Sequence, residues 1–357
     1  MTEKRVYVDN NASTPLRNEV KDAIIRDIDV FGNASSMHSS GRLALARVEE
    51  ARAAVGALIG ASPETIIFSS GGSESNNTVF HTMRLLASKE RNEFITSAIE
   101  HPCVLNSGLY TQEQGGTVHF IPVDEYGKIK LDVFKKALNE KTLFVSVMMA
   151  NNEIGTIQDI KEITQLAKEA GALVHTDAVQ AVGKIPVDVM DLGVDYLTMS
   201  SHKIYGPKGI GALYVKKGAP ILTQIHGGHQ EKGLRAGTYN NLGIIGFREA
   251  AMLALRDLDE YRKKTSALRN KLYDGLLARI PDVKKNGHHE DLLPNTLNLS
   301  FSGAEGEAIL LSMDLAGIEA STKPKKHLAS LCRFCIRRAT QPFANLRLLP
   351  SAYNQTI

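Results

Sequence analysis

Three segments of the sequence carry side chains or turns that could take part in chemistry, and each follows a short apolar run. The turn SSGGSE at 69–74 precedes a helix, where glycines and the free N–H groups of the helix start could hold a phosphate. An ordinary strand–helix turn is the simpler interpretation. Asp177 could pair with a ligand or cap the next helix. Lys203 could act as an amine nucleophile if it is desolvated, or be a solvated surface residue.

The combination of these residues favours one cofactor. Pyridoxal phosphate needs a lysine that it can bind covalently, an acidic partner for its pyridine nitrogen and a site for its phosphate. Lys203, Asp177 and the 69–74 turn supply one of each, at the ends of successive strand patterns. His101 stands at another strand end, where its imidazole could stack on the ring or simply begin a helix. The sequence therefore predicts a pyridoxal-phosphate site.

Alternating strand and helix patterns must position these residues. Seven strands are predicted, at Ile66–Phe68, Phe94–Ser97, Val118–Ile121, Leu143–Met148, Ala172–His175, Tyr196–Met199 and Gly211–Val215. Helical patterns such as Leu131–Leu138 and Ile160–Lys168 separate most of them, which predicts a mainly parallel sheet. After Gly243, a long helical region at 244–280, a strand at Thr296–Phe301 and a helix at Glu305–Leu315 predict a smaller α+β unit. Beyond Thr322 no periodicity is found.

Composition excludes several classes of protein. No apolar run approaches the roughly 20 residues of a membrane helix, and the N-terminus lacks the apolar stretch of a signal peptide. Three cysteines in 357 residues suit a reducing compartment, so we expect a cytoplasmic protein with no membrane contact. The net charge of +3 depends on residues 323–357, which hold seven Lys or Arg and no acidic residue. No basic stripe interleaved with aromatic residues is found elsewhere, and we expect neither nucleic-acid binding nor a metal site.

Longer motifs carry a family resemblance over about residues 5–322. They are VYVDNNASTP at 6–15, FGNASSMHSSGR at 31–42, IIFSSGGSESNN at 66–77, ITSAIEHPCVL at 95–105, VSVMMANNEIGTIQ at 145–158, HTDAVQAVGKIPVDV at 175–189, SSHKIYGPKGIGALYV at 200–215, IHGGHQEKGLRAGT at 225–238 and LPNTLNLSF at 293–301. In this order they resemble the cysteine desulfurases, pyridoxal-phosphate enzymes of the class V aminotransferase group.

The resemblance implies a role for each matching residue. Lys203 would bind the cofactor covalently and move the substrate's Cα proton, while Asp177 would pair with the ring nitrogen. His101 would stack on the ring and assist proton transfer, and Gln180 and Asn152 would contact ring substituents or the substrate. The phosphate would be held by Gly72, Ser73, Ser200 and His202, with Thr238 reaching the phosphate of the neighbouring subunit.

The resemblance also implies a fold and an activity. The fold would be the α/β architecture of pyridoxal-phosphate fold type I, with a large domain at 13–250 and a small domain from 1–12 and 251–357. The enzyme would convert L-cysteine to L-alanine and carry the sulfur as a persulfide. Its partners would be a second copy of the chain and an iron–sulfur scaffold or sulfur-carrier protein. Selenocysteine cleavage or another aminotransferase-type reaction, and an inactive dimeric scaffold, are the alternatives.

The resemblance breaks after Thr322. Family members continue with Gly-Ser-Ala-Cys, whose cysteine accepts the sulfur, whereas this sequence has Lys-Pro-Lys-Lys at 323–326. Neither the following helix nor the Arg-rich, carboxylate-binding strand is matched, and the chain ends several tens of residues early. Three hypotheses stay open: a reading-frame change near codon 323, a divergent enzyme that uses Cys332 or Cys335, and a cofactor-binding homologue without desulfurase activity. Cys332-x-x-Cys335 could also be half of a metal or redox site, and Cys103 is predicted to be a packing residue.

Overall fold

The structure, a computed structural model, describes residues 5–322 and the strand Phe343–Leu348. The strands are β1 (Val6–Tyr7), β2 (Ile66–Ser69), β3 (Glu93–Ser97), β4 (Thr117–Ile121), β5 (Thr142–Ser146), β6 (Leu173–Asp177), β7 (Tyr196–Ser200), β8 (Gly211–Val215), β9 (Val283–Asn286), β10 (Leu297–Ser302), β11 (Ile318–Glu319), β12 (Ser321–Thr322) and β13 (Phe343–Leu348). The helices are α1 (Asn18–Arg26), α2 (Ser39–Ala57), α3 (Gly72–Leu86), α4 (Pro102–Glu113), α5 (Leu131–Ala137), α6 (Ile160–Glu169), α7 (Val189–Leu192), α8 (Asn241–Arg256), α9 (Leu258–Leu277) and α10 (Gly306–Leu315).

Strands β2 to β8 form one central sheet in the order β2-β8-β7-β6-β5-β3-β4. The strands are parallel apart from β8, which runs antiparallel to its neighbours β2 and β7. The prediction of a mainly parallel, seven-stranded sheet is confirmed. Because β2, β6 and β7 run in the same direction, the segments that follow them meet at one edge of the sheet.

The central sheet is buried on both faces, which explains why its strands read as continuous apolar runs. All five residues of β5 and all five of β8 are buried. On one face, the ring of Phe144 meets those of Phe80 and Phe94 edge to face, with centroid distances of 5.3 and 6.0 Å. The segments at the strand ends are therefore supported by a close-packed core.

A second cluster of elements lies around β10. Strands β9, β10, β12 and β13 form a four-stranded sheet in the order β12-β13-β10-β9. Leu297, Leu299 and Phe301 of β10 form its core and pack against Leu276 of α9 and Met313 of α10. Strand β1 pairs in parallel with β11, which brings the start of the chain to this cluster. On these contacts we propose that the described residues of 1–12 and 251–357 form the small domain and that 13–250 form the large one.

The structure differs from the sequence-based prediction in the region after β8. The helical region at 244–280 is two helices, because the chain turns at Asp257, whose backbone has φ −98° and ψ 5°, outside the helical range. The Asp257 carboxylate is held there by Arg17 at 2.7 Å and Arg256 at 2.6 Å. Strand β13 lies in a region where no periodicity was found. Among residues 5–322, no helix is long and apolar enough to cross a membrane.

Candidate active site

The polar residues at the carboxyl edge of the central sheet surround a cavity of about 350 Å³. The segments after β2, β6 and β7 contribute to its wall, as do the start of α4 and the N-terminal segment. Its lining residues are Asn11, Ala12, Gly72, Ser73, Asn76, His101, Cys103, Met148, Asn152, Asp177, Val179, Gln180, Ser200, His202 and Lys203. All the predicted site residues except Thr238 therefore lie around one cavity.

Asp177 is a buried carboxylate at the end of β6, with 5% of its surface exposed. Its Oδ1 accepts a hydrogen bond from the Val179 backbone N–H at 3.0 Å, and its Oδ2 accepts one from Asn76 Nδ2 at 2.7 Å. Burial raises the pKa of the Asp177 carboxyl, against the opposing effects of these donors and of the charges on His101 and Lys203. A cationic N–H donor in the cavity would give this carboxylate the partner that stabilises its charge.

Lys203 ends the short turn Ser201–Lys203 that follows β7. Its Nζ donates to the backbone carbonyls of Asn11 at 2.5 Å and Ala12 at 2.7 Å. The turn is fixed to the same N-terminal segment by Thr14, whose backbone N–H and Oγ1 both donate to the His202 carbonyl. The lysine amine is therefore held at the cavity by two backbone carbonyls.

The turn after β2 is shaped by a close approach of backbones. A Cβ on Gly211 would lie 2.7 Å from Gly71 Cα, and a Cβ on Gly72 would lie 2.8 Å from Val179 Cγ2. Glycine is needed at these positions because a methyl group has no space. The 15-residue helix α3 begins at Gly72 and directs its first N–H groups and positive dipole end toward the cavity. This part of the wall is suited to an anion.

His202 contributes a neutral imidazole to the same wall. Burial and the positive charges of Lys203, Lys208 and Lys184 lower the pKa of His202 to about 4. Its Nδ1 lies 3.2 Å from Ser13 Oγ. At neutral pH the ring is therefore uncharged and can donate one hydrogen bond and accept another.

His101 and Cys103 lie together at the start of α4. His101 precedes the helix as its N-cap, and its Nδ1 accepts a hydrogen bond from the Cys103 backbone N–H at 3.3 Å. The Cys103 Sγ lies 2.9 Å from the same nitrogen and accepts from Asn76 Nδ2 at 3.2 Å. Burial, followed by the charge of Asp177, raises the pKa of the Cys103 thiol to about 11. Cys103 packs against the core as predicted, but it also lines the cavity as a protonated thiol.

Glu100 was not singled out by the sequence, yet it lies directly behind the cavity. Its side chain is buried, and its Oε1 accepts from Ser97 Oγ at 2.6 Å and from the Met148 backbone N–H at 2.7 Å. Burial raises the pKa of the Glu100 carboxyl to about 8. Glu100 is therefore a protonated acid at neutral pH. Its hydrogen bond from the Met148 backbone N–H joins the start of α4 to the segment after β5.

Comparison with known proteins identifies the family. The model of the family described as aminotransferase class-V matches residues 6–336. The chain belongs to this family.

Among the curated relatives of this chain is the cysteine desulfurase IscS of Dictyoglomus turgidum, 46% identical over 320 residues, which are 89% of this chain and 81% of the relative. A cysteine desulfurase of Sinorhizobium fredii is 46% identical over 321 residues, 89% of this chain and 82% of the relative. Among solved structures, a NifS-like protein has a TM-score of 0.92 at 38% identity and covers 99% of this chain and 95% of its own. These findings confirm the resemblance to cysteine desulfurases and the fold of pyridoxal-phosphate fold type I.

Pyridoxal 5'-phosphate is the cofactor of the class-V aminotransferases and cysteine desulfurases, and the residues of the cavity fit it. The glycine turn brings the first residues of α3, Gly72 and Ser73, to the cavity wall, where the free N–H groups of a helix start suit a phosphate. Asp177 offers a buried carboxylate to a protonated ring nitrogen, and Lys203 offers a primary amine. The chemistry of this donor set matches each charged or reactive part of the cofactor.

Two further sequence-based predictions concern Thr238 and the C-terminal cysteines. Thr238 is exposed in the segment that precedes α8 and is not part of the cavity wall. Cys332 and Cys335 lie outside the described residues. Two asparagines that line the cavity were missed: Asn76, one helical turn after Gly72, and Asn11, whose side chain donates to Thr296 Oγ1 at 3.0 Å. The spacing of Asn76 from Gly72 is the signal that could have identified it.

Proposed function

We propose that this chain is a pyridoxal-phosphate-dependent cysteine desulfurase that converts L-cysteine to L-alanine and transfers the sulfur to a cysteine thiol as a persulfide. The observation that carries the proposal is one cavity that joins Lys203, Asp177 and the glycine turn in a chain 44–46% identical to cysteine desulfurases. A related protein named SspA, 29% identical with a TM-score of 0.83, was solved in complex with cysteine. That structure supports cysteine as the substrate here.

The residues of the cavity divide the work of holding the cofactor. Gly72, Ser73, Ser200 and His202 would hold its phosphate at the start of α3. Asp177 would bind the ring nitrogen, His101 would lie on the ring face, and Gln180 and Asn152 would contact ring substituents or the substrate. The support for this division is that these side chains share one cavity with charges suited to the groups they would meet.

The chain's own residues would supply the acid–base chemistry. When bound, the cofactor provides an electron-withdrawing ring that stabilises negative charge at the substrate Cα. Lys203 would take the Cα proton on Nζ and return a proton to the product, since its amine is fixed at the cavity by two carbonyls. Asp177 would keep its negative charge beside the protonated ring nitrogen. His101, which lines the cavity at the start of α4, would assist proton transfer.

The sulfur would leave through a cysteine of the C-terminal segment. One L-cysteine and one enzyme thiol give one L-alanine and one enzyme persulfide, so no external oxidant is needed. Cys103 is unsuited to this step because burial keeps its pKa near 11 and the reactive form is the thiolate. We therefore assign the acceptor to Cys332 or Cys335, the two cysteines left in the sequence.

The proposal includes a homodimer and a partner protein. Thr238 is exposed and outside its own cavity, and its place in the motif GLRAGT suggests that it reaches the phosphate site of a second copy. The persulfide would pass to an iron–sulfur scaffold or a sulfur-carrier protein. We place the protein in the cytoplasm, because the low cysteine count suits a reducing compartment.

The test is release of alanine and sulfide from L-cysteine by the purified, cofactor-loaded protein with a thiol reductant. We expect both products from the unmodified protein, and neither from Lys203→Ala or from the double variant Cys332→Ser/Cys335→Ser. Lys161→Ala, which changes a lysine whose side chain is 67% exposed, is the matched control and should keep full activity. Bound cofactor without alanine would contradict the proposal and favour an inactive scaffold. Turnover of selenocysteine but not cysteine would favour a selenocysteine lyase.

A further inference from the structure

A second lysine lies close to the cavity and is fully buried. Lys184 has 2% of its surface exposed, and its Nζ donates to Gln180 Oε1 at 2.7 Å. Burial and the positive charge of Lys203 lower the pKa of Lys184 to about 7. Burying a charged amine with a single hydrogen-bond acceptor is unfavourable. A simple packing role would be served better by an apolar side chain of the same length.

The local backbone places Lys184 on Gln180. Residues 178–185 form a tight turn after β6, in which Gly183 has φ +72° and precedes Lys184. A Cβ at Gly183 would lie 2.7 Å from Ile204 Cγ2, so the turn packs directly on the segment that carries Lys203. Lys184 follows Gln180 by four positions, and the turn brings the lysine amine back to the Gln180 amide.

The contacts of Gln180 fix which end of its amide faces which neighbour. Its Oε1 accepts a hydrogen bond from Lys184 Nζ, which in its charged form can only donate. Its Nε2 donates to the Asn11 carbonyl at 2.9 Å, which can only accept. In the reversed orientation of the Gln180 amide, its NH₂ group would face the Lys184 ammonium and its oxygen would face the Asn11 carbonyl oxygen. Both contacts would be repulsive. One N–H of Nε2 is used by Asn11, and the second is left for an acceptor in the cavity that Gln180 lines.

The same contacts connect Lys184 to Lys203. The Asn11 carbonyl accepts from Gln180 Nε2 and also from Lys203 Nζ at 2.5 Å. On the other side, Lys184 and Lys203 both line a cavity of about 20 Å³. The charged and titratable residues around that small cavity are Arg17, Asp257, Tyr205 and Tyr261. Besides burial, the positive charges of both lysines also lower the pKa of His202.

We propose that Lys184 is a positioning residue that locks the Gln180 amide with its N–H toward the cavity, so that Gln180 donates to an anionic oxygen of the bound cofactor. This inference rests on the proposed function, because it concerns the cofactor assigned there. Lys184 acts through Gln180 and does not touch the reacting atoms. The hydrogen bond from Lys184 to Gln180 keeps the amide N–H directed at the cofactor oxygen and so favours the anionic form of that oxygen. The positive charge of protonated Lys184 favours the same form.

The experiment is a pH titration of the visible absorption band of the cofactor-loaded protein. Lys184→Met keeps a side chain of similar length and removes the hydrogen-bond donor. The bound cofactor should then lose its proton at a higher pH. We expect the titration midpoint to rise by about one pH unit, the scale of one lost charged hydrogen bond. Gln180→Leu should give a similar rise, and the double variant should equal Gln180→Leu alone, because the lysine acts through the amide. Lys161→Met, which removes an equal charge from the surface, should leave the midpoint unchanged.

A midpoint that stays unchanged in Lys184→Met, or shifts that add in the double variant, would overturn the inference. Gln180→Glu tests the inference independently if the Lys184 variant does not fold. It keeps an oxygen that accepts from Lys184 Nζ but replaces the N–H group that faces the cavity with a second acceptor oxygen. It should also raise the midpoint, and an unchanged value would overturn the inference. Absence of a visible band in the unmodified protein after addition of pyridoxal phosphate would instead overturn the proposed function. The two failures are therefore distinguishable.

Discussion

The side-chain amide of Asn76 and the carboxylate of Asp177 lie 2.7 Å apart, although 101 residues separate them in the chain. Asn76 is one turn into α3, the helix whose start forms the proposed phosphate site, and Asp177 ends β6. The contact fixes the distance between the two parts of the cavity that would hold opposite ends of a rigid cofactor. Preorganisation of this kind reduces the entropy lost on binding.

Removing the Asn76 amide tests this relationship. Asn76→Ala deletes a hydrogen bond to a charged group, which is worth about 1.5–3 kcal/mol, and we expect the Kd for pyridoxal phosphate to rise by roughly one to two orders of magnitude. An absorbance titration of the cofactor-free protein measures the constant. Asn18→Ala changes an exposed asparagine of α1 and should leave the Kd unchanged. Equal constants for the two variants would show that Asn76 does not support the cofactor site.

The glycine turn gives a second prediction. Gly72→Ala places a methyl group 2.8 Å from Val179 Cγ2, and overpacking of this kind costs about 1–3 kcal/mol. Because the turn must move to make room, we expect cofactor affinity to fall by about tenfold or more. The control is Gly275→Ala in α9, where a Cβ meets nothing within 4 Å and helix propensity should raise stability by up to about 1 kcal/mol. Unchanged affinity in Gly72→Ala would contradict the assignment of this turn to the phosphate.

A buried ion pair away from the cavity makes a prediction about stability. Arg52 donates to both carboxylate oxygens of Glu231, at 2.7 and 2.8 Å, and both side chains are buried. Arg52→Met leaves the Glu231 charge unpaired, so we expect the free energy of unfolding to fall by about 3–5 kcal/mol in urea denaturation. Arg26→Met, in which the lost side chain is 62% exposed, should change it by less than about 0.5 kcal/mol. A double variant, Arg52→Met/Glu231→Gln, should recover part of the loss, and no recovery would argue against an unpaired charge as the cause.

The raised pKa of Glu100 predicts that the free energy of unfolding depends on pH. Its pKa is about 8 in the folded protein against 4.5 for an unperturbed side chain, so between these values the folded state holds a proton that the unfolded chain has released. Rising pH across this window therefore favours unfolding, by at most about 1.4 kcal/mol per pH unit for this one group. Glu100→Gln mimics the protonated acid. The variant should gain stability relative to the unmodified protein as pH rises from 5 to 8, and a constant difference in urea denaturation would contradict the raised pKa.

The strand ends that carry the site could be predicted from sequence. The apolar runs gave the positions of β2 to β8 within a few residues, and the rule that parallel strands end at one edge brought Lys203, Asp177 and the 69–74 turn together. The antiparallel direction of β8 was not predicted, because an apolar run has no direction. The break between α8 and α9 was also missed, since Asp257 is neither glycine nor proline and the helical pattern continues on both sides.

Apart from the spacing of Asn76 from Gly72, the sequence held no signal for the supporting residues, because their roles depend on tertiary contacts. Asn76, Glu100 and Lys184 lie inside motifs that were recognised, but nothing in their residue types distinguishes a buried amide, acid or amine from an exposed one. Asn11 contributes its backbone carbonyl to Lys203 from 192 residues away, a contact that leaves no local pattern. Sequence reasoning found the groups that would touch the cofactor, and the structure adds those that hold them in place.

Covalent trapping of the cofactor tests the central claim most directly. The purified protein would be loaded with pyridoxal phosphate, reduced with borohydride, digested and mapped by peptide mass spectrometry. We expect one cofactor per chain, attached to Lys203, and none attached in Lys203→Ala. Attachment to Lys184 or to a surface lysine, or no attachment at all, would contradict the assignment of this cavity as the catalytic site.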